Sequence, residues 1–580
     1  MSSTDESLVE VGPVDEVREE GPARLTADGQ AIAVFHHDGA FYATDIRCPH
    51  MGFPLTEGTI DDGILTCHWH HARFELECGD TLDPFADDVR TYPVEVRDDR
   101  VYVRPNPKRD RTPTEHWRAR LDHGLREDLS LIIAKSVIGL ANAGVDDTVA
   151  IAQGVEFGTN YREQGWGRGL TTLGVMANLL PYLRAPDRRR ALYVGLGEVA
   201  DESAGSPPRF PQDPLNNPDI EPARLTRWLR DSIEVRDSDG AERVIRAAVQ
   251  AGHDEDVIAG MFVAAATDHL YLDTGHRLDF INKAFETLDH IGWEHADTTL
   301  ASLAPGLANA RRAEERSSWR KPIDVAALCF DAADELSDLL DAGRDRTWTR
   351  PDGFVDDLLV DDPEAIMGTI TDAIASGADA TELAGAVCAA AARRIVQFGT
   401  ANEFRDWNTV HHTYTYANAV DGLARRTSAP ERYRGVFDAA MSVYLDRFLN
   451  IPPKRVPDPD GDGDPDELLE ELLMTFEVED DREVDRAGRV AAEYLASGGE
   501  VDRLRAAIGE ALLREDVGFH PRQNVEVAFT QFDRADSPEV GRIHLVATAR
   551  YLAAHTPTRR EGEQTFQIAD RLSRGERIHE

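Results

Sequence analysis

Lysine is almost missing from this chain of 580 residues. It occurs only as Lys108, Lys135, Lys283, Lys321 and Lys454, so nearly all of the 63 basic residues are arginine. Basic residues are themselves outnumbered by 106 Asp and Glu, which leaves a formal charge of −43. A chain this acidic repels phosphate backbones, which excludes broad nucleic-acid binding. Cysteine is scarce and odd in number: Cys48, Cys67, Cys78, Cys329 and Cys388. Cys329 and Cys388 sit in apolar helical stretches, where a thiol behaves as a small hydrophobe. That excludes a disulfide framework and points to a reducing, cytoplasmic compartment. No apolar run reaches the ~18 residues of a membrane-spanning helix. Met1-Ser2-Ser3-Thr4-Asp5 also lacks the basic and apolar regions of a secretory signal, so no membrane partner is expected.

The composition that remains is that of a soluble, folded, multidomain chain, with 41% hydrophobic and 29% charged residues. Excess carboxylate with arginine in place of lysine is the surface chemistry of halophilic proteins. Residues 7–105 read as a small all-β domain. Ala31–Phe35, Ala40–Ala43, Val94–Val96 and Arg100–Val103 are β-rich runs, and Asp38-Gly39, Asp62-Gly63 and Asp98-Asp99 supply turns. Residues 106–113 read as a linker rich in Pro and charge.

From 114 to 580 the texture is all-α, Ala, Leu, Arg and Glu at helical spacing, and it carries four diverged repeats, approximately 114–204, 224–310, 322–450 and 466–580. Gly144, Gly252, Gly377 and Gly498 each end one helix and precede an apolar one, roughly 110–125 residues apart. A second glycine follows each by about 20–23 residues: Gly165, Gly275, Gly399 and Gly518.

Chemistry concentrates in Cys48-Pro49-His50 and, 16 residues later, Cys67-His68-Trp69-His70. Two thiolates and two imidazoles at this spacing suit a tetrahedral zinc ion or an iron–sulfur centre. The surrounding residues favour iron. Asp45, Cys48-Pro49-His50-Met51-Gly52, Leu55, Gly58, Cys67, Trp69-His70, Phe74, Gly79, Pro84 and Tyr92-Pro93-Val94 make residues 7–105 resemble the Rieske ferredoxins of ring-hydroxylating dioxygenase systems.

The resemblance implies a [2Fe–2S] cluster on Cys48, His50, Cys67 and His70, with both Cys on one iron and both His on the other. Phe53 and Trp69 stand where high-potential relatives carry a loop disulfide. Ala72 and Phe74 stand where those relatives place a Ser and a Tyr that donate to sulfur. Fewer donors imply a low-potential centre. His71 replaces a usual Gly after the last ligand.

The helical part carries weaker signals. His269, Asp273 and His276 share one helix face if Gly275 does not end the helix, and His253, His411 and His412 lie at comparable stages of the repeats. Such a set could hold a second metal, a non-haem iron or another divalent ion. The Asp-x-x-His-x(4–5)-His pattern of oxygenase catalytic domains has no match in the sequence.

The expected function is single-electron transfer between the cluster and the helical domain or a redox partner. The electron donor would be a ferredoxin or flavoprotein reductase, and the helical domain an oxygenase-type oxidoreductase acting on a small-molecule substrate. The alternative is a helical-repeat interaction scaffold with the cluster as redox sensor or structural element.

The charge generates the first prediction. Screening lengths of about 10 Å at 0.1 M salt and about 3 Å at 1 M mean that carboxylate repulsion persists in ordinary buffer and fades in molar salt. Melting temperature is expected to climb as KCl rises from about 0.1 to about 2 M. A flat profile by calorimetry would contradict solvent adaptation.

Overall fold

A computed structural model describes residues 8–576, apart from 28, 108–110, 218 and 404. Met1 to Ser7, the linker residues Lys108, Arg109 and Asp110, and the last four residues of the expected fourth repeat lie outside the described residues. The N-terminal part is a small all-β domain and the remainder is a large helical region. Two compact units result: residues up to Ala150 together with those from Gly562 onward, and Ile151–Glu561. The change from strand to helix and the change of unit therefore fall at different places. The helical hairpin Pro113–Arg126 and Ser130–Asn142 packs with the β domain, as does the helix Glu561–Ser573 from Gly562 on.

Ten strands build the β domain: β1 (Val9–Pro13), β2 (Ala23–Ala27), β3 (Gln30–His37), β4 (Ala40–Asp45), β5 (Thr59–Asp61), β6 (Ile64–Thr66), β7 (Arg73–Glu75), β8 (Thr91–Tyr92), β9 (Val94–Arg97) and β10 (Arg100–Val103). They form antiparallel sheets in the orders β1-β10-β9, β2-β3-β4-β8 and β5-β6-β7. Three two-residue hairpins close the β3–β4, β5–β6 and β9–β10 pairs at Asp38-Gly39, Asp62-Gly63 and Asp98-Asp99. Both residues of each turn have positive φ, the geometry that Asp and Gly tolerate and that matches strand twist. The small sheet β5-β6-β7 carries one end of the candidate metal centre, and its core residues Leu65 and Phe74 are fully buried.

The four marker glycines have one structural role. Gly252, Gly377 and Gly498, like Gly144 at the end of the hairpin, adopt φ of 73°, 98°, 80° and 74° respectively. Their amides bond the carbonyls of Val249, Ile374, Leu495 and Ala141, closing the preceding helix in the left-handed way that glycine permits. A helix follows each of them, and then an inner helix: Arg168–Leu179, His276–Ile291, Asp406–Ala424 and Phe519–Arg534. The four inner helices pack in a closed cycle, each against the next and the last against the first.

The interior of that cycle is polar. Lys283 is fully buried and donates to Glu286 at 2.7 Å and Glu526 at 2.8 Å. Asn178 donates to the same two carboxylates, at 2.7 and 3.0 Å. Gln531 spans to Asn418 and Asp421 at 2.9 and 3.1 Å. Burial alone would lower the Lys283 pKa, but the Glu286 and Glu526 carboxylates outweigh it and raise it, while Lys283 draws Glu286 down to about 2.

The marker glycines are testable. An L-residue in the left-handed region costs ~1–2 kcal/mol, partly offset by the stiffer unfolded chain, so Gly498→Ala is expected to destabilise by about 1 kcal/mol. Gly377→Ala is expected to cost more, because its Cβ would lie 2.5 Å from the Arg346 carbonyl oxygen, whereas nothing crowds Gly498. Denaturant unfolding of the two variants checks the order.

Candidate metal centre

The two loops that carry Cys48 with His50 and Cys67 with His70 are built alike. In the first, the Cys48 amide donates to the Phe53 carbonyl at 2.8 Å; in the second, the Cys67 amide donates to the Ala72 carbonyl at 2.9 Å. Each loop thus closes five residues after its cysteine. The residue four after each cysteine is left-handed: Gly52 at φ 79° and His71 at φ 61°. Sequence reading marked His71 as a departure from the usual Gly. The loop keeps its turn, and a side chain occupies a backbone geometry that favours glycine.

Cys48 and Cys67 are buried in the domain core, and His50 and His70 lie further out, His70 exposed. The two thiols hydrogen-bond each other, which lowers the Cys67 pKa to about 6 and raises that of Cys48. Backbone amides of His50 and Met51 point at Cys48 sulfur, and those of Trp69 and His70 at Cys67 sulfur. The His50 and His70 rings stand 4.8 Å apart between centroids, at 80°. His50 Nδ1 is buried with no hydrogen-bond partner. Burial, then the charge of Lys135, brings the His50 pKa down to about 4, so the ring is neutral with a free lone pair. Phe53 and Trp69 come together, ring centroids 6.0 Å apart, where a disulfide would otherwise tie the loops.

A third loop, Pro84–Val89, covers the site and holds the buried carboxylate Asp87. The helical hairpin brings two cations to it. Arg120 donates to Asp87 at 2.8 Å and to the Ala86 carbonyl at 2.9 Å. Lys135, only 6% exposed, donates to Asp87 at 3.2 Å, to the His50 carbonyl at 2.9 Å and to the Pro49 carbonyl. Burial opposes ionisation of Asp87, but Lys135 and Arg120 overcome it and hold its pKa below the usual range. Asp45, just before the first loop, accepts from Tyr92 and Arg90, both at 2.7 Å.

Known proteins resemble this part of the chain in sequence. The sequence profile of the Rieske [2Fe-2S] domain matches residues 7–93. The 3-phenylpropionate/cinnamic acid dioxygenase ferredoxin subunit of Photorhabdus laumondii is 40% identical over 86 residues, 14% of this chain and 82% of that protein. The chain belongs to the Rieske [2Fe-2S] family. A second relative of the Rieske domain is the ferredoxin component of the naphthalene 1,2-dioxygenase/salicylate 5-hydroxylase systems of Ralstonia, 27% identical over 17% of this chain and 96% of that one. Among solved structures, the ferredoxin of carbazole 1,9a-dioxygenase from Nocardioides aromaticivorans IC177 is 25% identical, covering 17% of this chain and 99% of its own, with a TM-score of 0.17. A Rieske domain implies a [2Fe–2S] cluster, and the donor set here fits one: two buried sulfurs together, two imidazoles together, and a buried ring nitrogen of His50 without a hydrogen-bond partner.

The histidines singled out in the helical part divide. His269, Asp273 and His276 do not share a helix face. The preceding helix ends at Ala266, and Tyr271, Asp273, Thr274 and Gly275 all have positive φ before the next helix opens at His276. His269 bonds Glu234 and Glu314, at 2.9 and 3.0 Å, and Asp273 bonds Arg277 and Arg311, at 2.6 and 3.2 Å. His253 stands apart at a helix end, and His411 Nδ1 lies 3.3 Å from the Asn524 amide. His276 and His412 do come together, with a third residue that sequence reading missed, His520. A signal for part of the set was present in the spacing His276-x5-Asn282 and His412-x5-Asn418, whose asparagines are both fully buried.

The strained second loop gives a direct test. Removing the side chain at His71 relieves ~1–2 kcal/mol of left-handed strain against ~0.5–1 kcal/mol of added unfolded-state entropy. His71→Gly is therefore expected to stabilise the Rieske domain by about 0.5–1 kcal/mol, measured by thermal unfolding of the cluster-loaded protein. A destabilised variant would show that the His71 side chain makes a compensating contact.

Proposed function

We propose that this protein is a one-electron carrier in which Cys48, His50, Cys67 and His70 hold a Rieske [2Fe–2S] cluster of the low-potential class. The observation that carries the reading is the paired donor set, two buried thiols behind two outward imidazoles on matched loops. When bound, such a cluster stores and releases a single electron. Cys48 and Cys67 anchor the site in the core, and backbone amides of His50, Met51, Trp69 and His70 are directed at the sulfurs. Ala72 and Phe74, both buried, offer no side-chain donor. Reduced sulfur is then less stabilised than in a site with hydroxyl donors, which keeps the potential low. Exposed His70 and Trp69 place the histidine end of the site at solvent, where a partner can approach for electron exchange.

Relatives named as ferredoxin components of dioxygenase systems support an oxidoreductase setting. The donor is then a ferredoxin or flavoprotein reductase, and the acceptor is the helical unit or a separate redox protein. Among the described residues no helix is long and apolar enough to cross a membrane.

Lys135 adds a positive charge directly on the backbone of the first loop, and positive charge favours the reduced, more negative centre. Redox titration followed by electron paramagnetic resonance tests both parts. Wild type is expected near the low end of about −150 to +300 mV, and Lys135→Met lower by roughly 40 mV, the one-electron equivalent of ~1 kcal/mol. Cys48→Ser and His70→Ala are expected to lose the signal altogether. A midpoint above roughly +200 mV would overturn the low-potential assignment.

A further inference from the structure

We propose that the helical unit contains a metal site of its own, a divalent first-row transition ion held by His276, His412 and His520. Each histidine comes from a different inner helix: the first residue of His276–Ile291, the second residue of Phe519–Arg534, and the second turn of Asp406–Ala424. One ring nitrogen from each lies within 4.8 Å of the other two. The His412 and His520 Nε2 atoms are 3.1 Å apart. Two nitrogens bound to one ion at about 2.0–2.1 Å lie about 2.9 Å apart at a right angle and about 3.3 Å apart at the tetrahedral angle. The observed separation falls between those limits. An ion draws the third nitrogen inward by about 1.5 Å, a side-chain movement rather than a change of fold.

Three further observations favour an ion over a cluster of mutually bonded rings. His276 Nδ1 is buried and has no hydrogen-bond partner, so bonding within the triad does not satisfy it. All three rings are neutral: burial lowers the pKa of His276 to about 3 and of His520 to about 4, and lowers His412 as well. Neutral imidazole is the form that ligates. The chain also holds a costly backbone to place His276, with Tyr271, Asp273, Thr274 and Gly275 left-handed in the five residues before it. Asp273 fastens that segment through Arg277 and Arg311, and Gly275 passes so close to Tyr416 and the His412 carbonyl that a Cβ would meet them at 3.0 and 3.3 Å. Non-glycine strain of this kind persists where the position of a functional group depends on it.

Three neutral nitrogens suit a borderline divalent ion such as iron, cobalt, nickel or zinc, and not calcium or magnesium, which require oxygen. They leave at least one coordination position for water or an exogenous ligand, the arrangement of catalytic rather than structural zinc-type sites. The ring walls are aromatic, with Phe280 and Phe519 at 5.6 and 5.9 Å from His276, which strengthens the field of an ion held there.

The test uses the purified full-length protein with any affinity tag removed. Metal content is compared with acid-labile sulfide, and Co2+ is titrated in while the Rieske resonance signal is recorded. Wild type is expected to take up one metal ion per chain beyond the cluster iron, with a visible d–d absorption band on Co2+ binding and an unchanged Rieske signal. His276→Gln and His520→Gln are each expected to weaken Co2+ uptake at least tenfold, whereas His411→Gln, beside the triad, is expected to bind as wild type does. No uptake by wild type, or unchanged uptake in the two triad variants, would overturn the site. Should the triad variants fail to fold, the wild-type Co2+ spectrum decides alone: a nitrogen-ligand d–d band supports the site, its absence refutes it. Loss of sulfide and of the Rieske signal would instead refute the cluster assignment, so the two readings fail separately.

Discussion

Among the described residues two lysines, Lys135 and Lys283, are buried, and each is paired with a carboxylate from a distant part of the sequence, Asp87 and Glu526. A buried ammonium without a partner would simply lose its proton. Each lysine therefore fixes the relation of the segments around it. Lys135 joins the helical hairpin to the first and third loops of the Rieske domain, and Lys283 joins three of the four inner helices through Glu286, Glu526 and, at one remove, Asn178. Removing one partner of such a group costs on the order of 3–5 kcal/mol, far above the worth of an exposed ion pair. Because both groups are buried, salt screens them far less than it screens ion pairs at the surface.

The β domain was legible in the sequence because its signals are local. Hairpins with Asp and Gly at both turn positions, alternating strands, and two Cys-x-His-type loops at fixed spacing need no knowledge of distant residues. The all-α character of the rest and the four helix-ending glycines were legible for the same reason: a left-handed helix end is a local demand, and glycine meets it. The extent of the first unit was not legible. It depends on Lys135 finding Asp87, 48 residues earlier in the chain, and no periodicity encodes that meeting.

The histidine triad failed to declare itself for two physical reasons. Grouping His269, Asp273 and His276 assumed an ordinary helix through them, but Tyr271, Asp273 and Thr274 take left-handed conformations that helical periodicity does not anticipate. His520 stands in its repeat without a neighbouring histidine, and only the closed packing of the inner helices brings it to His412. Sequence patterns report which face of one helix is apolar; they do not report which helix ends meet.

The segment beyond Gly562 belongs with the Rieske unit, and Leu572 rests against Gly52 in the first cluster loop. During synthesis that contact must wait until the whole helical unit has emerged from the ribosome. The first 150 residues therefore spend the making of some four hundred more without their last packing partner, with the loop around Cys48 and His50 still open on that side. The loop around Cys48 and His50 therefore completes its packing on that side only after the intervening helical unit has been made.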